Sequence, residues 1–479
     1  MRCGLYRSGV HNIAPLAWAE VVIRRYARQT NRLIAGRRFA VVGVGERADA
    51  LRSALTTIGA QLVEPDSGWR PDAVFSAEAT ELAAVVLIDP VPSRETAAAR
   101  IDWAGAHMPI VAELSQRLAA AGQLDGLRVG VCLVLEPKTA VLALALARAG
   151  AQVSLFGHPE ETDDQVVADL RRRGLVVYTD PEPDAQDGLI ESFLDQNLHL
   201  LIDDGARVIR ALAKRRLSPE LIGAAEETTS GLRPLRELGH RLGFPVVAVN
   251  DAGSKRYFDN AHGTGQSCLF TILDLLDDAE QSWPLIGRTV VVAGFGPVGE
   301  GFARHAKAFG AEVLVADPDP VARLRARFAG YATGELAELA AGAELIVSAS
   351  GYAHTINTAV LRAARNRAVV AVAGGVTDEV DWVAALAEGA TLVEVSPKVA
   401  DLTFADGHSV RLLDQGGCIN CTAGEGNPIE IMDLSFGVQL AALQQLLTSK
   451  LAAGVQPLPL AADQLVAELG LITAFGEAL

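Results

Sequence analysis

The sequence VVVAGFGPVG at residues 290–299 decides the fold of this chain. An apolar strand runs directly into Gly294, Gly296 and Gly299, which form the pattern G-x-G-x-x-G. Glycines at this spacing allow a tight turn, a close approach of the backbone to a pyrophosphate, and close packing of helix on sheet. The helix that follows points its free amide groups at the phosphates. The pattern therefore predicts a parallel α/β sheet that binds a dinucleotide.

The second strand of this unit indicates which dinucleotide is bound. Residues 311–316 read as a strand that ends at Asp317, about twenty residues past the glycines. An acid at this place accepts both ribose hydroxyls and repels a 2′-phosphate, so NAD is favoured over NADP. The residues expected to contact NAD here are Gly294, Gly296, Val298, Gly299 and Asp317.

Composition limits the other possibilities. The chain has 479 residues, which implies two or three domains, and half of its residues are hydrophobic. The net charge of −16 makes nucleic acid an unfavourable partner. The most apolar run, around residues 129–151, is interrupted by charged residues, so no membrane span is predicted.

Cysteine usage indicates a cytoplasmic protein. The five cysteines are scattered and odd in number, which fits a reducing compartment, and there is no signal-peptide pattern. Cys418 and Cys421 form one C-x-x-C, but no second pair completes a metal site. We interpret them as small residues that line a loop and predict no metal.

The predicted fold class is α/β, with two doubly wound parallel-sheet, Rossmann-like domains and a small N-terminal α/β module. The predicted divisions are a module at residues 1–96, a substrate domain at 97–265 with 421–450, an NAD-binding domain at 266–420, and a short helical tail at 451–479.

Hydrophobic runs predict the elements of the two large domains. The expected strands cover residues 128–133, 151–156, 198–202, 246–249, 345–348 and 368–372, and the expected helices cover 110–122, 139–150 and 428–447. The last helix reads as amphipathic, and its apolar stripe suggests a homo-oligomer.

The N-terminal module contains a second glycine turn. Residues 38–45 read as a strand entering the turn, with further strands at 60–64 and 83–88 and a linker at 89–94. Gly43, Gly45 and Ala48 form G-x-G-x-x-A, but the unit is too short to hold a dinucleotide alone. We interpret this turn as structural.

Three polar clusters follow predicted strands, where α/β sheets place ligands. They cover residues 201–205, 225–231 and 249–260, and the last continues to Gly263–Ser267. Lys255 is flanked by Asp259 and Asn260, and such a lysine can be tuned to act as acid or base. Each cluster by itself is equally consistent with helix-capping acids and solvated charges.

Taken together, these clusters resemble the S-adenosylhomocysteine hydrolase family, in its short-tailed bacterial and archaeal branch. The resemblance covers about residues 97–450 and leaves out the N-terminal module. The matching motifs are DDG at 203–205, EETT at 226–229, ND at 250–251, FDN at 258–260 with Lys255, GTGQS at 263–267, the glycine turn, DPDP at 317–320, GEGNP at 424–428 and MDLSF at 432–436.

The resemblance implies a transient oxidation that makes elimination of the 5′ group possible. Bound NAD would take hydride from the ribose 3′ carbon, the ketone would acidify the 4′ hydrogen, the 5′ group would leave, and NADH would return the hydride. Lys255 with Asp259 and Asn260 would deprotonate and orient the 3′ hydroxyl, Glu227 would hold ribose hydroxyls, and Asp204 would be a general base near the 4′ and 5′ carbons. Further NAD contacts are expected from Thr228, Thr229, Ser350 and Asn420.

The chain departs from the family at the positions that would contact the leaving group, the attacking water and the nucleoside base. Val134, Gly375 and Asn427 stand where the family has histidines, the side chains best suited to proton exchange near neutral pH. The family's threonine and adenine-reading acid fall at Glu136 and Lys138. Asn427, Glu136 and Lys138 are therefore expected, with Glu227, to contact the substrate.

Three hypotheses follow. In the first, the protein is an NAD-dependent enzyme that oxidises a nucleoside or sugar 3′-hydroxyl transiently to drive 4′,5′ elimination on a modified nucleoside. In the second, it hydrolyses S-adenosylhomocysteine or a related nucleoside thioether. In the third, it is a non-catalytic NAD-binding regulatory partner. The expected ligand is a small nucleoside-like molecule, and the expected assembly is a dimer or tetramer.

Overall fold

The computed structural model describes residues 14–64, 68–80, 83–87, 94–182, 185–280, 282–375 and 378–475. Within them the strands form three sheets of four, seven and eight strands. This arrangement confirms the predicted α/β class. The residues 88–93 of the predicted third strand and linker, Val376, Thr377 and the end of the tail lie outside the described residues.

The first layer is the N-terminal module. Its elements are α1 (Pro15–Thr30), β1 (Arg38–Val42), α2 (Glu46–Ile58), β2 (Gln61–Leu62), β3 (Ala73–Ser76) and β4 (Val85–Leu87). The strand order is β2-β1-β3-β4, with β1 parallel to β2 and to β3. The third predicted strand is present as β4, at the edge of the sheet and antiparallel to β3. Strand β3 itself was not predicted.

The second layer is the substrate sheet. Its elements are α3 (Ala97–Ala106), α4 (Pro109–Ala120), β5 (Arg128–Cys132), α5 (Pro137–Arg148), β6 (Gln152–Phe156), α6 (Asp164–Arg172), β7 (Val176–Tyr178), α7 (Gln186–Leu194), β8 (Leu200–Asp203), α8 (Arg207–Leu212), β9 (Gly223–Glu226), α9 (Thr229–Leu238), β10 (Pro245–Ala248) and α10 (Gly253–Arg256). Adjacent strands pair in parallel, which confirms the doubly wound prediction for this half.

The third layer is the NAD-binding sheet. Its elements are α11 (Thr264–Glu280), β11 (Thr289–Ala293), α12 (Pro297–Ala308), β12 (Glu312–Ala316), α13 (Pro320–Phe328), β13 (Ala332–Thr333), α14 (Leu336–Ala340), β14 (Leu345–Ser348), α15 (Thr358–Ala363), β15 (Ala368–Val372), α16 (Trp382–Ala387), β16 (Thr391–Ser396), β17 (Val399–Thr403) and β18 (Ser409–Leu413). The order is β13-β12-β11-β14-β15-β18-β17-β16. The last two strands extend the parallel sheet as an antiparallel meander that was not predicted.

The chain then returns to the substrate sheet through α17 (Ile419–Thr422) and α18 (Ile429–Thr448). It ends with β19 (Gly454–Pro457), which pairs with β10, and α19 (Leu460–Phe475). The tail predicted as purely helical therefore contains a strand of the substrate sheet. This strand has the sequence GVQP, which is too short to show a strand period.

Helix α18 corrects one expectation about assembly. It was predicted as amphipathic, with an apolar stripe for a second subunit, but 13 of its 20 residues are buried within this chain. Its apolar residues share a core with those of α4 and α19. The helix therefore gives no evidence for an oligomer.

The module does not stand apart from the two large layers. Trp18 and Tyr26 of α1 belong to the same continuous core as Phe270 of α11 and Phe309 beyond α12. Buried apolar area of this kind drives association of layers at about 25 cal/mol per Å². The module is therefore fixed against the NAD-binding layer.

Candidate active site

A cavity of about 390 Å³ lies where the carboxyl ends of the substrate strands face the glycine turn of the NAD-binding sheet. Strands β8 and β9 end at Asp203 and Glu226, and the polar clusters follow them directly. The predicted site residues that line this cavity are Glu136, Asp204, Glu227, Thr228, Thr229, Lys255, Asp259, Asn260, Gly296, Val298, Ser350, Asn420 and Asn427.

Lys255 is a buried cation inside this cavity. Its Nζ lies 2.6 Å from Oδ2 of Asp259 and donates to Oδ1 of Asn260 at 3.1 Å and of Asn250 at 3.3 Å. Burial lowers the pKa of Lys255, but the carboxylates of Asp259, Glu227 and Asp204 outweigh it, so the net shift is upward. Lys255 and Asp259 are one turn apart, which brings both onto one side of the segment.

Asp259 is in turn held by Asn427, one of the residues that were expected to contact the substrate. The Asn427 side-chain amide donates to Oδ1 of Asp259 and, at 3.2 Å, to Oγ1 of Thr264. Its own oxygen accepts from Ser267 Oγ at 2.7 Å and from Asn420 Nδ2 at 2.9 Å. Asn427 therefore joins the two segments that connect the large layers.

Two further carboxyls face Lys255. Glu227 is buried and accepts from Ser435 Oγ and, at 2.5 Å, from Gln439 Nε2. Burial raises the pKa of Glu227 to about 7, and burial followed by repulsion from Glu161 raises the pKa of Asp204 to about 7. Carboxyls with such pKa values can exchange protons near neutral pH.

The acids beside them have a structural function. Glu226 accepts from the backbone amides of Gly205 and Ala206, at 3.0 and 2.9 Å, and from Thr228 Oγ1 at 2.7 Å. Asp203 accepts from the amide of Ile209 at 2.7 Å. These buried acids fix the loops that present Asp204 and Glu227, because their acceptors are occupied by backbone donors.

The turn at 294–299 has the geometry that a dinucleotide needs. A Cβ on Gly299 would lie 2.0 Å from the Gly294 carbonyl oxygen, and one on Gly294 would lie 2.8 Å from Ala349 O. In contrast, a Cβ on Gly296 would meet nothing within 4 Å. The backbone is thus tight on the protein side and open on the cavity side, above the N-terminus of α12, so the residues fit a bound pyrophosphate.

Asp317 lies beside this turn. Its Oδ2 accepts from the Phe295 amide at 2.7 Å and its Oδ1 from the Asp319 amide at 2.8 Å. Each carboxylate oxygen has a second lone pair, which leaves room for ribose hydroxyls. At the turn after β14, Ser350 Oγ contacts Thr355 Oγ1 at 2.6 Å and Glu379 Oε2 at 3.2 Å.

Comparison with known proteins identifies the family. Residues 267–426 match the family model described as the NAD-binding domain of S-adenosyl-L-homocysteine hydrolase. Adenosylhomocysteinase of Thermotoga maritima is 35% identical over 383 residues, which are 78% of this chain and 93% of that protein. The corresponding protein of Thermococcus kodakarensis is 34% identical over 381 residues, 78% of this chain and 89% of that protein.

The chain belongs to the S-adenosylhomocysteine hydrolase family. S-inosyl-L-homocysteine hydrolase of Methanopyrus kandleri is similar to the same extent, at 34% identity over 385 residues, which are 78% of this chain and 89% of that protein. The family resemblance is thereby confirmed, the cofactor is NAD, and the protein is an enzyme. The hypothesis of a non-catalytic partner is set aside.

Glu136 and Lys138, which were both expected to contact the substrate, form a buried pair. Glu136 caps α5 by accepting from the amides of Lys138 and Thr139, at 2.9 and 3.1 Å. The Lys138 ammonium lies 2.6 Å from Glu136 Oε2, yet Lys138 is behind the cavity wall and not in its lining. Burial raises the pKa of Glu136, an effect that Lys138 partly reverses.

Three residues of this family member were not predicted. Glu161 lines the cavity, and its pKa is raised by burial. It follows the end of β6, so its position after a parallel strand was a usable signal. Ser435 and Gln439, which hold Glu227, are polar residues four apart in the otherwise apolar stretch 434–443 of α18, and that contrast was also visible in the sequence.

Two negative findings concern metals and membranes. Within the described residues, no group of three or more His, Cys, Asp or Glu side chains is placed to hold a metal ion. The thiols of Cys418 and Cys421 are free and donate to Asn420 Oδ1 at 3.3 and 3.7 Å. No helix of the described part is long and apolar enough to cross a membrane.

Proposed function

We propose that the protein uses NAD to oxidise the 3′-hydroxyl of a nucleoside transiently and so drives 4′,5′ elimination on a modified nucleoside. The observation that carries this proposal is the buried Lys255–Asp259 pair, 2.6 Å apart, in one cavity with Gly296 of the glycine turn. A base and a hydride acceptor on opposite sides of one carbon are what alcohol oxidation requires.

The ribose end is handled by charged groups. Glu227, held by Ser435 and Gln439, accepts hydrogen bonds from ribose hydroxyls. As the neutral amine, Lys255 takes the 3′-hydroxyl proton, and Asp259 and Asn260 compensate and orient the resulting ammonium. NAD, when bound, supplies the hydride acceptor. The raised pKa of Lys255, set by nearby carboxylates against the effect of burial, favours the ammonium, so the amine must lose this proton before it can accept the one from the 3′-hydroxyl.

The 5′ end is handled by Asp204. It lies in the cavity with a pKa raised to about 7 by burial, so its carboxylate can remove the acidified 4′ proton near neutral pH. The side chains of Val134, Gly375 and Asn427 have no group that exchanges protons at this pH. We infer that expulsion of the 5′ group is retained while addition of water is slow.

Hydrolysis of S-adenosylhomocysteine or a related nucleoside thioether is the second candidate. Relatives are named adenosylhomocysteinase and S-inosyl-L-homocysteine hydrolase, so the family includes proteins named for different bases. Glu161 favours this candidate, because it is a cavity-lining carboxyl whose pKa is raised by burial and could activate water.

A substrate panel tests both candidates. The NAD-loaded protein is mixed with S-adenosylhomocysteine, adenosine, inosine and sugar-modified nucleosides, and NADH absorbance and product masses are recorded. A product that has lost its 5′ group without gaining water supports elimination, and release of homocysteine with adenosine supports hydrolysis. Absence of NADH and of any product with the whole panel would contradict both.

Lys255→Ala provides the decisive variant. We expect product formation to fall about a thousandfold, the range for a lost general base. The control is Lys214→Ala, because Lys214 is exposed and away from the cavity. Unchanged turnover in Lys255→Ala would contradict the proposed chemistry.

Location and assembly are proposals of a coarser kind. We propose a cytoplasmic protein, since the five cysteines are scattered and odd in number. We also propose a homo-oligomer, a dimer or tetramer by family precedent, with no nucleic-acid partner because of the net charge of −16.

A further inference from the structure

The N-terminal module contacts both large layers beside the active site. On the NAD-binding side, Arg24 of α1 pairs with Asp274 and Asp277 of α11 at 2.5 Å each. On the substrate side, Arg32 donates to Glu430 of α18 at 2.7 Å. The segment after α1 therefore lies across the place where the two layers meet.

Asn31 is the residue of this segment that bonds to both Lys138 and Glu425. It terminates α1 in the left-handed conformation, with φ of 51°. Its backbone oxygen accepts from the Ile429 amide at 2.9 Å, and its side chain donates to Glu425 Oε2 at 3.3 Å. Its Oδ1 accepts from Lys138 Nζ at 3.3 Å.

Through Lys138, Asn31 is connected to the cavity wall. The three hydrogens of the Lys138 ammonium face three oxygens. These are Oδ1 of Asn31, the carbonyl oxygen of Glu425 at 2.6 Å from Nζ, and Oε2 of Glu136, also at 2.6 Å. Lys138 is only 1% exposed, so it has no hydrogen left for a ligand. Its contribution is to hold the Glu136 carboxylate in one orientation.

A second cavity, of about 670 Å³, extends the site toward the module. Asn31 and Arg28 of the module form part of its wall. Val134, Glu136, Glu161, Cys421 and Gly426 line both cavities. A part of a ligand that extends past Glu136 from the catalytic cavity therefore enters a space that is partly bounded by the module.

We propose that Asn31 is a positioning residue of the active site. Acting through Lys138, it orients the Glu136 carboxylate, whose Oε2 is filled by Lys138 and whose Oε1 accepts one N–H of the nucleoside base beside the Thr139 amide. This inference rests on the proposed function for the identity of the ligand. The chemical class is a purine that presents an amino group or a ring N–H, because a carboxylate is an acceptor only. The added module thus takes part in substrate selection.

The test uses Asn31→Gly in the NAD-loaded full chain. Glycine keeps the left-handed backbone at φ of 51°, so only the amide is removed. Asn31→Asp retains an oxygen for Lys138 and serves as the conservative variant. Asn197→Gly is the matched control, because Asn197 has nearly the same φ of 52° and is exposed.

Two readouts are compared. KM and kcat are measured with adenosine, inosine and guanosine from the rate at which product appears in the mass spectrum. Deuterium uptake is measured for residues 134–142, where the Lys138 and Thr139 amides are bonded to Glu136. In Asn31→Gly we expect KM to rise about tenfold with kcat changed less than about twofold, and faster uptake at these amides. Asn31→Asp should recover most of both effects, and Asn197→Gly should show neither.

The outcomes separate this inference from the function on which it rests. Unchanged uptake and unchanged KM in Asn31→Gly would overturn the inference and leave the function standing. Faster uptake with unchanged KM would overturn it as well, since Asn31 would then be structural only. If the wild-type protein oxidises no nucleoside, the proposed function fails, and uptake alone decides whether Asn31 holds Glu136.

Discussion

The chain contains two glycine turns that share the pattern G-x-G-x-x-G/A and differ in their surroundings. Each follows a parallel strand and begins a helix, and the first glycine of each, Gly43 or Gly294, has φ of +99°. The residue after it is 86% exposed in one turn, Val44, and 1% exposed in the other, Phe295. The first glycine therefore has a similar conformation in both turns, but the residue after it is exposed in the module and packed into the core of the NAD-binding layer.

The difference comes from what lies around each turn. In the module, Arg52 donates to the carbonyls of Val41 and Gly43, at 3.1 and 3.2 Å, and so covers the turn with a protein donor. In the NAD-binding layer, Asp317 accepts from the Phe295 amide at 2.7 Å, and Gly296 lines the catalytic cavity. A glycine motif indicates a turn, while a binding site also needs an acid and a cavity.

The largest difference between the two turns is expected at the last residue of the motif, Gly299 in the NAD-binding layer. A Cβ on Gly299 would lie 2.0 Å from the Gly294 carbonyl oxygen, so backbone must move. We expect Gly299→Ala to lower the free energy of unfolding by about 3 kcal/mol or more and to abolish NAD binding. Thermal unfolding and NAD content measure both effects.

Ala48→Gly is the control at the corresponding position of the module, inside α2. It should cost about 1 kcal/mol through helix propensity and leave NAD content unchanged. Retention of NAD by a stable Gly299→Ala protein would show that the close approach at the second turn is not required.

Substitution at the second glycine of the motif should separate the effect on NAD binding from the effect on folding stability. Gly296 has φ of −72°, and an added Cβ meets nothing within 4 Å, so Gly296→Ala should fold normally. The methyl group would occupy the space of a pyrophosphate, and we expect NAD affinity to fall about a hundredfold or more, measured by calorimetry on cofactor-free protein.

Gly45→Ala should show the opposite pattern. Gly45 has φ of 93° and ψ of −175°, a conformation that is costly for other residues, so about 1–3 kcal/mol of stability should be lost. Its NAD affinity should equal that of the wild type. Equal NAD affinities in Gly296→Ala and Gly45→Ala would contradict the functional distinction between the two turns.

The sequence predicted most of what depends on neighbours along the chain. The strands β5, β6, β8, β10, β14 and β15 are apolar runs bounded by polar segments, and they form as predicted. The clusters after β8, β9 and β10 meet in one cavity, because adjacent parallel strands present their carboxyl ends at one edge. Lys255, Asp259 and Asn260 come from a single segment, so their proximity is local.

What could not be predicted depends on distant partners. Asn31 contacts Lys138 and Glu425, which are 107 and 394 residues away, and nothing in its own segment marks it. Lys138 was expected to contact the substrate, but three acceptors from separate parts of the chain hold it behind the wall. Placement of the module and of β19 is decided by tertiary packing, which local periodicity does not contain.

The smallest expected difference between the two glycine turns concerns pH. It follows from the buried carboxyls of Asp204 and Glu227, which share a cavity with the turn at 294–299. Burial raises the pKa values of Asp204 and Glu227 to about 7, whereas exposed carboxyls titrate near 4. Between about pH 4 and 7 the folded protein therefore binds more protons than the unfolded chain, so this contribution to stability is complete below about pH 4 and is lost as the pH rises to about 7. Over the same range the carboxylate of Asp204 forms, and we expect product formation to rise about tenfold from pH 6 to 8.

Activity and stability should thus change in opposite directions with pH, which product assays and thermal unfolding can measure. Asp204→Asn should leave a slow residual reaction without the rise near pH 7. Asp433 is the matched control, because burial raises its pKa to about 7 while its carboxylate accepts from the amides of Ile110 and Val111, away from the cavity. Asp433→Asn should change the pH dependence of unfolding and keep that of the reaction. If instead Asp433→Asn abolished the rise in activity, the pH dependence would be a property of the whole fold. It could then not be assigned to the cavity carboxyls beside the turn at 294–299.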